Sequence, residues 1–547
     1  MIAVAVFIRI AHRARVLQFP RFLRRFRVSI LTQLFRVFGA AAIVCLFFCF
    51  APPVRATINY TVSLANRDQH RFHVTMTIPN ATGQTTVRMA AWDTLYQIRD
   101  FAYHVSSLGA HDDAGLATAV KTDKDTWSIT AHGTLTIQYD TDWNESGPFA
   151  CQLDSSHAFI NPAMILMYIP DRRGEDVRIT FAGAPSNWNI AVELPAAADG
   201  GAHTFIAASF DALIDAPFEI GTFDEFEFTA GGRTIRVAIT GRGWKRDQLT
   251  DILTRIVNNE VGMMGDAPFR EYLFLFHIGD GWGGGMEHMN STSIFVANMG
   301  QLPGVAAHEL FHAWNVKRIR PQSLQPVDDQ REMWTRALWF AEGVTNTYED
   351  YVMVRTGLWD KSQFYDEIAQ RVTEIESRPA HTWQSAEESS LDAWFEKYDM
   401  YNQQDFSVSY YDKGELLGIM LDIQMREVSG DRVGLDDLMR AMYAGFALKN
   451  RYYNDSIDIR ATAESVLRQA GVAGDAADLG PFFAKYVAGT EEIPFGDLLA
   501  DAGLSLESTA HNSSRNYRVV EMESPSDLQL RIRNSILAGS TVQNVAH

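Results

Sequence analysis

The sequence His308-Glu309-Leu310-Phe311-His312 decides the fold of the chain around it. Pro303 suits the first turn of a helix and the next helix-breaking proline is Pro321, so the pentapeptide is predicted to lie in the middle of one helix. Residues four apart share a helix face, so both imidazoles can reach one zinc ion while Glu309 faces the attacking water. The alternative is a helix that carries two surface histidines and no metal.

A catalytic zinc ion takes three protein ligands and leaves one position for water, so a third ligand is required. Trp334 to Arg355 is predicted to form a helix that ends near Gly357, and Glu342 lies on it among apolar neighbours, where an unpaired carboxylate is costly to bury. Glu349 is a rival on the same face, but about 10 Å of helix separates the two, so both cannot bind one ion. We assign Glu342 as the ligand and Glu349 as a solvated acid or a partner of a ligand.

A glycine-rich segment, Gly279 to His288, precedes the motif. Three of its glycines match the dinucleotide-binding spacing GxGxxG, but Ser291 to Val296 continues as a strand rather than as the helix that a pyrophosphate requires. The segment is predicted to form a glycine-lined edge for a peptide backbone, with Glu287 placed to meet a cationic group. The alternative is a flexible hairpin with a solvated Glu287.

Composition excludes several classes of protein. The chain has 547 residues, of which 46% are hydrophobic and 21% charged, so it is neither disordered nor collagen-like. The first 56 residues carry nine Arg and no acid, which leaves 39 basic against 67 acidic side chains in the remainder. This acidic balance argues against a nucleic-acid partner.

An apolar run of 14 residues, Val37 to Phe50, follows the Arg-rich start and precedes Ala51-Pro52-Pro53-Val54-Arg55-Ala56. Spanning a bilayer takes about 20 apolar residues, whereas the core of a signal peptide takes about 7–15. We predict a signal peptide over residues 1–56 and a periplasmic or secreted protein; the alternative is an uncleaved membrane anchor. Without this segment only Cys151 remains, so no internal disulfide is expected.

Hydrophobic periodicity predicts an α+β multidomain protein. Alternation with a period of two indicates an N-terminal antiparallel β domain over 57–240, and helical spacing begins in an α+β domain over 241–400. Helical patterns dominate 401–505. Residues 506–547, which include the polar run Glu507 to Arg515, are predicted to be a linker and a short tail.

Five strings of the sequence resemble the glycyl aminopeptidase family of zinc metallopeptidases, peptidase family sixty-one: GGGMEHMNSTS, HELFHAWNVKRIRP, LWFAEGVTNTYEDY, YYDKGELLG and FFAKYVAGTEEIPFGDLLADAGL. They are more distantly similar to the aminopeptidase N superfamily, whose GxMEN, HExxH, WxxE and YxKG elements occur in this order. The resemblance spans roughly Thr57 to Gly503. It implies an N-terminal β domain, a thermolysin-like zincin catalytic domain and a C-terminal helical domain, with Zn²⁺ as cofactor and peptides as substrates.

The resemblance also implies roles for individual residues. These are zinc ligands His308, His312 and Glu342, general base Glu309, oxyanion stabiliser Tyr411, amino-group binder Glu287, and the substrate-lining residues Gly284, Gly285 and Met286. The YxKG register favours Tyr411 over Tyr410, which is expected to be its structural partner. Lys317, Arg318 and Arg320 are left unassigned.

Two features depart from the family pattern. His288 replaces the Asn of GxMEN. Family members usually end in a PDZ domain, and residues 504–547 are too few for a complete one.

The expected function is a zinc-dependent aminopeptidase that removes one N-terminal residue from a peptide. A preference for Gly or Ala is implied only by the family name. One alternative is a thermolysin-type endopeptidase, which does not need Glu287 near the metal. The other is a non-catalytic periplasmic peptide-binding protein, which has no use for Glu309.

Overall fold

The alternating sequence that starts at Thr57 folds into two β-sheets in the computed structural model, which describes residues 57–199, 201, 203–279, 281, 283–398, 405–511 and 514–539. The predicted signal peptide lies outside these residues. Strands β1 to β12 are Ile58–Asn66, Arg71–Arg88, Val105–Asp112, Gly115–Ala117, Ala119–Lys121, Thr126–Asp142, Gln152–Leu153, His157–Ile160, Val177–Ala182, Asn189–Ala191, Thr204–Ala207 and Phe218–Gly221.

The larger sheet has the order β11-β9-β1-β2-β6-β3-β4, with β5 on β6, and the smaller has the order β10-β12-β8-β7. On β2, Phe72, Val74, Met76 and Ile78 are fully buried, as their alternation predicts. The larger sheet is mixed rather than purely antiparallel, because β1 pairs with β9 in parallel. Cys151, predicted to be unpaired, is buried and free.

A third sheet carries the glycine-rich segment. Its strands are β13 (Asp224–Ala230), β14 (Arg233–Gly241), β15 (Glu271–Ile278), β16 (Gly283–Glu287) and β17 (Ser291–Val296). The order is β13-β14-β15-β17-β16, in which β14, β15 and β17 are parallel. The chain therefore changes sheet between β12 and β13, earlier than the predicted boundary at residue 240, because β13 and β14 continue the same alternation while pairing with β15.

Helices cover this sheet and form the rest of the molecule. The α-helices are Pro162–Ile165, Phe210–Ile214, Arg246–Met264, Leu302–Phe311, Val344–Arg355, Lys361–Ser377, Ala386–Leu391, Ala393–Glu396, Tyr410–Ser429, Leu435–Gly445, Asp455–Gln469, Gly480–Phe482, Phe495–Asp501 and Asp527–Ala538. Trp339–Gly343 and Phe483–Val487 are π-helical turns. Short 3₁₀ turns are Arg67–Gln69, Phe101–His104, Pro170–Arg172, Gln322–Leu324, Pro379–Thr382, Ala447–Lys449 and Gly474–Ala477. No helix in the described part of the chain is long and apolar enough to cross a membrane.

The segment predicted to be a linker is instead a β-hairpin. Strands β18 (Leu504–His511) and β19 (Ser514–Glu521) pair antiparallel, and the helix Asp527–Ala538 follows them. Val519 and Ile532 are buried in the same core as the third sheet and the helices that pack on it. Polar residues dominate this hairpin because only part of its surface is covered. Its polar composition resembles that of a linker, and the prediction rested on that composition.

Candidate metal centre

The histidine motif ends a short helix, Leu302–Phe311, with Pro303 in its first turn. His312 follows as the C-cap residue with helical angles, φ −59° and ψ −20°. The motif therefore lies at the end of the helix, rather than in the middle as predicted, but both imidazoles still share one face. The Nε2 atoms of His308 and His312 are 3.0 Å apart.

Glu342 completes a triangle of donor atoms. Its Oε2 lies 3.5 Å from Nε2 of His308 and 3.3 Å from Nε2 of His312. A tetrahedral zinc ion with bonds of about 2.0–2.1 Å holds its ligand atoms about 3.3 Å apart, so the three residues fit this metal. Burial alone would raise the pKa of Glu342, but the two imidazoles hold it well below its usual range.

Each histidine is oriented through its other ring nitrogen. Nδ1 of His312 donates to the carbonyl oxygen of Asn315 at 2.6 Å, and Nδ1 of His308 lies 3.6 Å from Oε2 of Glu349. Both contacts leave Nε2 available to a metal. A Cβ at Gly304 would lie 2.4 Å from Oε1 of Glu349, so this glycine makes room for the carboxylate. Glu349 thus supports a ligand instead of competing with Glu342.

Asn315 is a positioning residue that sequence analysis did not identify. Its Nδ2 donates to the carbonyl of Phe340 at 2.9 Å and to the hydroxyl of Thr345 at 3.2 Å. It therefore ties the turn after the histidines to the π-helical turn that carries Glu342. Nothing in its spacing or residue type distinguishes it from an ordinary turn asparagine.

Glu309 lies directly beneath the glycine-rich strand β16. A Cβ at Gly285 would lie 2.6 Å from its Cγ and 2.7 Å from its Cδ and Oε1. Burial raises the pKa of the Glu309 carboxyl to about 7, although the neighbouring imidazoles lower it. Donor atoms of Glu287, Glu309 and His312 all lie within 4.8 Å of one another. The structure thus brings Glu287 beside the predicted general base.

Strand β16 is the edge of the third sheet. Gly284 and Gly285 are partly exposed, whereas Met286 is buried and its carbonyl accepts from the hydroxyl of Thr292 at 3.0 Å. Met286 can therefore meet a substrate only through its backbone, not through its side chain. Glu287 shares the face of Gly285, because side chains two apart on a strand point the same way.

Two of the three cations left unassigned after the motif, Lys317 and Arg318, anchor this strand. Nζ of Lys317 lies 2.6 Å from Oδ1 of Asp215, whose other oxygen accepts from the backbone N–H of Met289 at 2.8 Å. Arg318 donates to the carbonyl of Met289 at 2.9 Å. Burial opposes ionisation of Asp215, but Lys317 and His288 hold its pKa well below the usual range. These contacts connect the end of β16 to the turn after the histidines.

Tyr411 lies near His308, in the first turn of the helix Tyr410–Ser429. Its ring centroid is 6.4 Å from that of His308 and 4.7 Å from that of Tyr410, which is almost fully buried. Burial and the charge of Glu342 raise the pKa of the Tyr411 hydroxyl well above its usual value. The phenol therefore stays protonated at neutral pH and can donate a hydrogen bond.

Two glycines set the distance between Tyr411 and Glu342. A Cβ at Gly343 would lie 2.4 Å from the Cα of Gly414, and one at Gly414 would lie 2.2 Å from the carbonyl oxygen of Trp339. The backbones of the π-helical turn and the tyrosine helix therefore touch, and only glycine fits between them.

This arrangement suits hydrolysis of an acyl bond at a metal. It combines a zinc-sized set of three donors, a buried carboxylate beside it, a protonated phenol and a second carboxylate on an open strand edge. The structure brings the three predicted ligands together with Glu309, Glu287 and Gly285, and it places the Tyr411 ring near His308. The side chain of Met286 is buried.

Comparison with known proteins identifies the family. The model of the M61 glycyl aminopeptidase matches residues 301–417, and that of the peptidase M61 N-terminal domain matches residues 59–222. No curated protein sequence matches the chain.

Among solved structures, an aminopeptidase N family protein from Idiomarina loihiensis is 24% identical with a TM-score of 0.78, over 84% of this chain and 81% of that one. An M1 zinc metallopeptidase from Deinococcus radiodurans is 14% identical with a TM-score of 0.46, over 81% of this chain and 95% of that one. The first shares the fold. Both family models match in chain order, and the one over residues 301–417 includes the whole histidine motif and Glu342. The chain therefore belongs to the M61 glycyl aminopeptidase family of metallopeptidases.

Proposed function

We propose that this protein is a zinc-dependent aminopeptidase of the gluzincin type, which hydrolyses the first peptide bond of peptides with a small N-terminal residue such as Gly or Ala. The observation that carries the proposal is the position of Glu287, whose carboxylate lies within 4.8 Å of donor atoms of Glu309 and His312. A free α-amino group held there places the first peptide bond at the metal centre. The preference for small residues rests on the family's description alone.

His308, His312 and Glu342 would hold the zinc ion, which when bound polarises the scissile carbonyl and acidifies the attacking water. Glu309 takes a proton from that water on its carboxylate and passes it to the nitrogen of the leaving amine. The Tyr411 hydroxyl donates a hydrogen bond to the carbonyl oxygen as negative charge develops there.

Strand β16 supplies the rest of the substrate site. Among the described residues, β17 is the only strand that pairs with β16. The outer edge of β16 can therefore receive an extended peptide. Glycine at 284 and 285 lets that peptide approach closely. Glu287 then forms a charge-assisted hydrogen bond with the α-amino group, which contributes about 1.5–3 kcal/mol.

The test compares a free peptide with its N-acetylated form. Acetylation removes the charge that Glu287 senses, so kcat/KM should fall by at least about 10-fold, using 1.4 kcal/mol per decade. Glu287→Gln should lower kcat/KM for the free peptide and reduce the ratio of kcat/KM between the free and the acetylated peptide. Glu227 is an exposed acid on the opposite edge strand β13, so Glu227→Ala serves as the matched control and should leave this ratio unchanged.

Equal cleavage of free and acetylated peptides by the unmutated protein would instead indicate an endopeptidase. Binding of peptides without any turnover of the zinc-loaded protein would indicate a peptide-binding protein. Anilides of Gly, Ala, Leu and Phe test the side-chain preference, and a faster rate for Leu or Phe would contradict it.

We also propose that the protein is exported to the periplasm or beyond the cell. The Arg-rich start, the short apolar run and the small residues Val54 and Ala56 support this proposal. Mass spectrometry of the protein from its native envelope should give a mature N-terminus near Thr57, whereas an intact N-terminus in the membrane fraction would favour an anchor.

A further inference from the structure

A second group of metal-ligating side chains lies where the four-stranded sheet meets the third sheet. It consists of His157 at the start of β8, Glu219 on β12 and His277 on β15. Each offers one ligand atom, and the three atoms lie within 4.8 Å of one another. None of these residues belongs to the histidine motif or to the substrate strand. Their separation in sequence, over 120 residues, hides the group from any motif search.

Glu219 is a buried carboxylate with one oxygen held and the other directed at the group. Only 2% of the residue is exposed. Thr240 donates to its Oε1 at 3.4 Å, while its Oε2 lies 3.0 Å from Nε2 of His277 and accepts no hydrogen bond from the described residues. A buried carboxylate oxygen without a hydrogen bond is costly unless a positive charge compensates it.

His157 presents an unprotonated nitrogen to the same point. The hydroxyl of Ser156 donates its only proton to Oδ1 of Asp154 at 2.5 Å and lies 3.1 Å from Nδ1 of His157. Because that proton is already used, Nδ1 of His157 must be the donor in the second contact. Its Nε2 is buried without a hydrogen-bond partner in the described residues, so it carries a lone pair in the neutral ring. This is the tautomer that binds metals.

Neighbouring residues pack closely around both rings. The His277 ring stacks on Phe295 with centroids 4.0 Å apart and planes 5° apart. A Cβ at Gly221, which pairs with His157 across β8 and β12, would lie 2.8 Å from the Cβ of His157, so glycine makes room for this histidine. The His157 side chain is 14% exposed, so it lies nearest to solvent of the three side chains, although its Nε2 is buried.

We propose that His157, Glu219 and His277 bind a second divalent transition-metal ion, with zinc as the best match to two imidazoles and one carboxylate. The ion links β8 and β12 of the N-terminal region to β15, from which the chain continues into β16 and Glu287. It therefore has a structural role, separate from the catalytic centre. The competing outcome is a metal-free ion pair between Glu219 and His277.

The test counts zinc in protein purified without a polyhistidine tag, equilibrated with zinc alone and freed of excess ion. Elemental analysis should give about two zinc ions per chain for the unmutated protein and about one for His157→Gln. In the variant His308→Gln/His312→Gln, which empties the catalytic centre, about one should remain, and adding His157→Gln should remove it. His104→Gln, a histidine of the same β region stacked on Trp143, is the control and should change nothing.

A second readout does not depend on stoichiometry. Zinc should raise the Tm of the catalytic-site variant, because it binds the folded state, and His157→Gln should abolish that increase. The proposal would be overturned if the His308→Gln/His312→Gln variant bound no zinc while keeping a native circular dichroism spectrum. It would also be overturned if the unmutated protein bound one zinc ion per chain and the His157→Gln variant bound the same amount. Neither outcome bears on the aminopeptidase proposal, which rests on the other centre.

Discussion

Gly285→Ala should disable the general base without removing the metal. The added Cβ would lie 2.6 Å from Cγ of Glu309 and 2.7 Å from its Cδ and Oε1. Carbon atoms in ordinary contact stay about 3.5–4.0 Å apart, so the carboxylate or the strand must shift by about 1 Å. The backbone itself tolerates alanine, because Gly285 is not in the left-handed region.

The shift sets the expected loss of activity. A misplacement of about 1 Å can cost about 10²-fold, and removing a general base altogether costs about 10²–10⁴-fold. We therefore expect kcat to fall about 10²-fold. Zinc content should stay unchanged, because the three atoms nearest to the new methyl group all belong to Glu309, which is not a metal ligand. Turnover of an alanine anilide, with elemental analysis of the same sample, measures both quantities.

Gly284→Ala is the matched control on the neighbouring residue. A Cβ there has no protein atom within 4 Å, so Glu309 stays in place and kcat should stay within about 2-fold. Crowding of the substrate backbone by the new methyl group should instead raise KM. Near-normal kcat in Gly285→Ala would refute the close approach of strand and base. An equal loss in both variants would mean that the strand needs glycine for a reason other than Glu309.

Three further predictions concern the metal centre. Glu309→Gln should keep zinc and lose about 10²–10⁴-fold in kcat, since only proton transfer is removed; normal turnover in the zinc-loaded variant would rule out its role. Glu342→Ala should lose zinc, because two histidines leave an incomplete site, whereas Glu349→Ala should weaken zinc binding by about 10–100-fold. If a chelator competition showed weaker zinc binding in Glu349→Ala than in Glu342→Ala, the two assignments would have to be exchanged. Asn315→Ala should lower the free energy of unfolding by about 1–3 kcal/mol, because the buried carbonyl of Phe340 loses a donor; unchanged stability in urea denaturation would contradict the link described here.

Local patterns in the sequence predicted the elements that depend on neighbouring residues. The four-residue spacing of His308 and His312 fixes their common face, whatever surrounds them. Glu342 could be selected because a lone acid in an apolar helix needs a partner. The alternation along β2 gave its buried face directly.

Contacts between distant parts of the chain could not be read in this way. The change of sheet before β13 depends on which strands pair with β13 and β14. The alternation of hydrophobic residues along a strand is the same in either sheet and does not reveal its partner. The close approach of Gly285 to Glu309 depends on how a strand crosses a helix. The prediction of a linker was wrong for a related reason. A hairpin with only one covered face has a polar composition like that of a loop.

The contact between Gly343 and Gly414 bears on how this site could change, in evolution or in the laboratory. A side chain at either position would drive two main chains apart, and a compensating change at the other is impossible, because glycine has nothing left to remove. The backbone segments that carry Glu342 and Tyr411 are therefore held at a fixed separation. New specificity is expected instead from the edge strand β16, which takes no part in this contact.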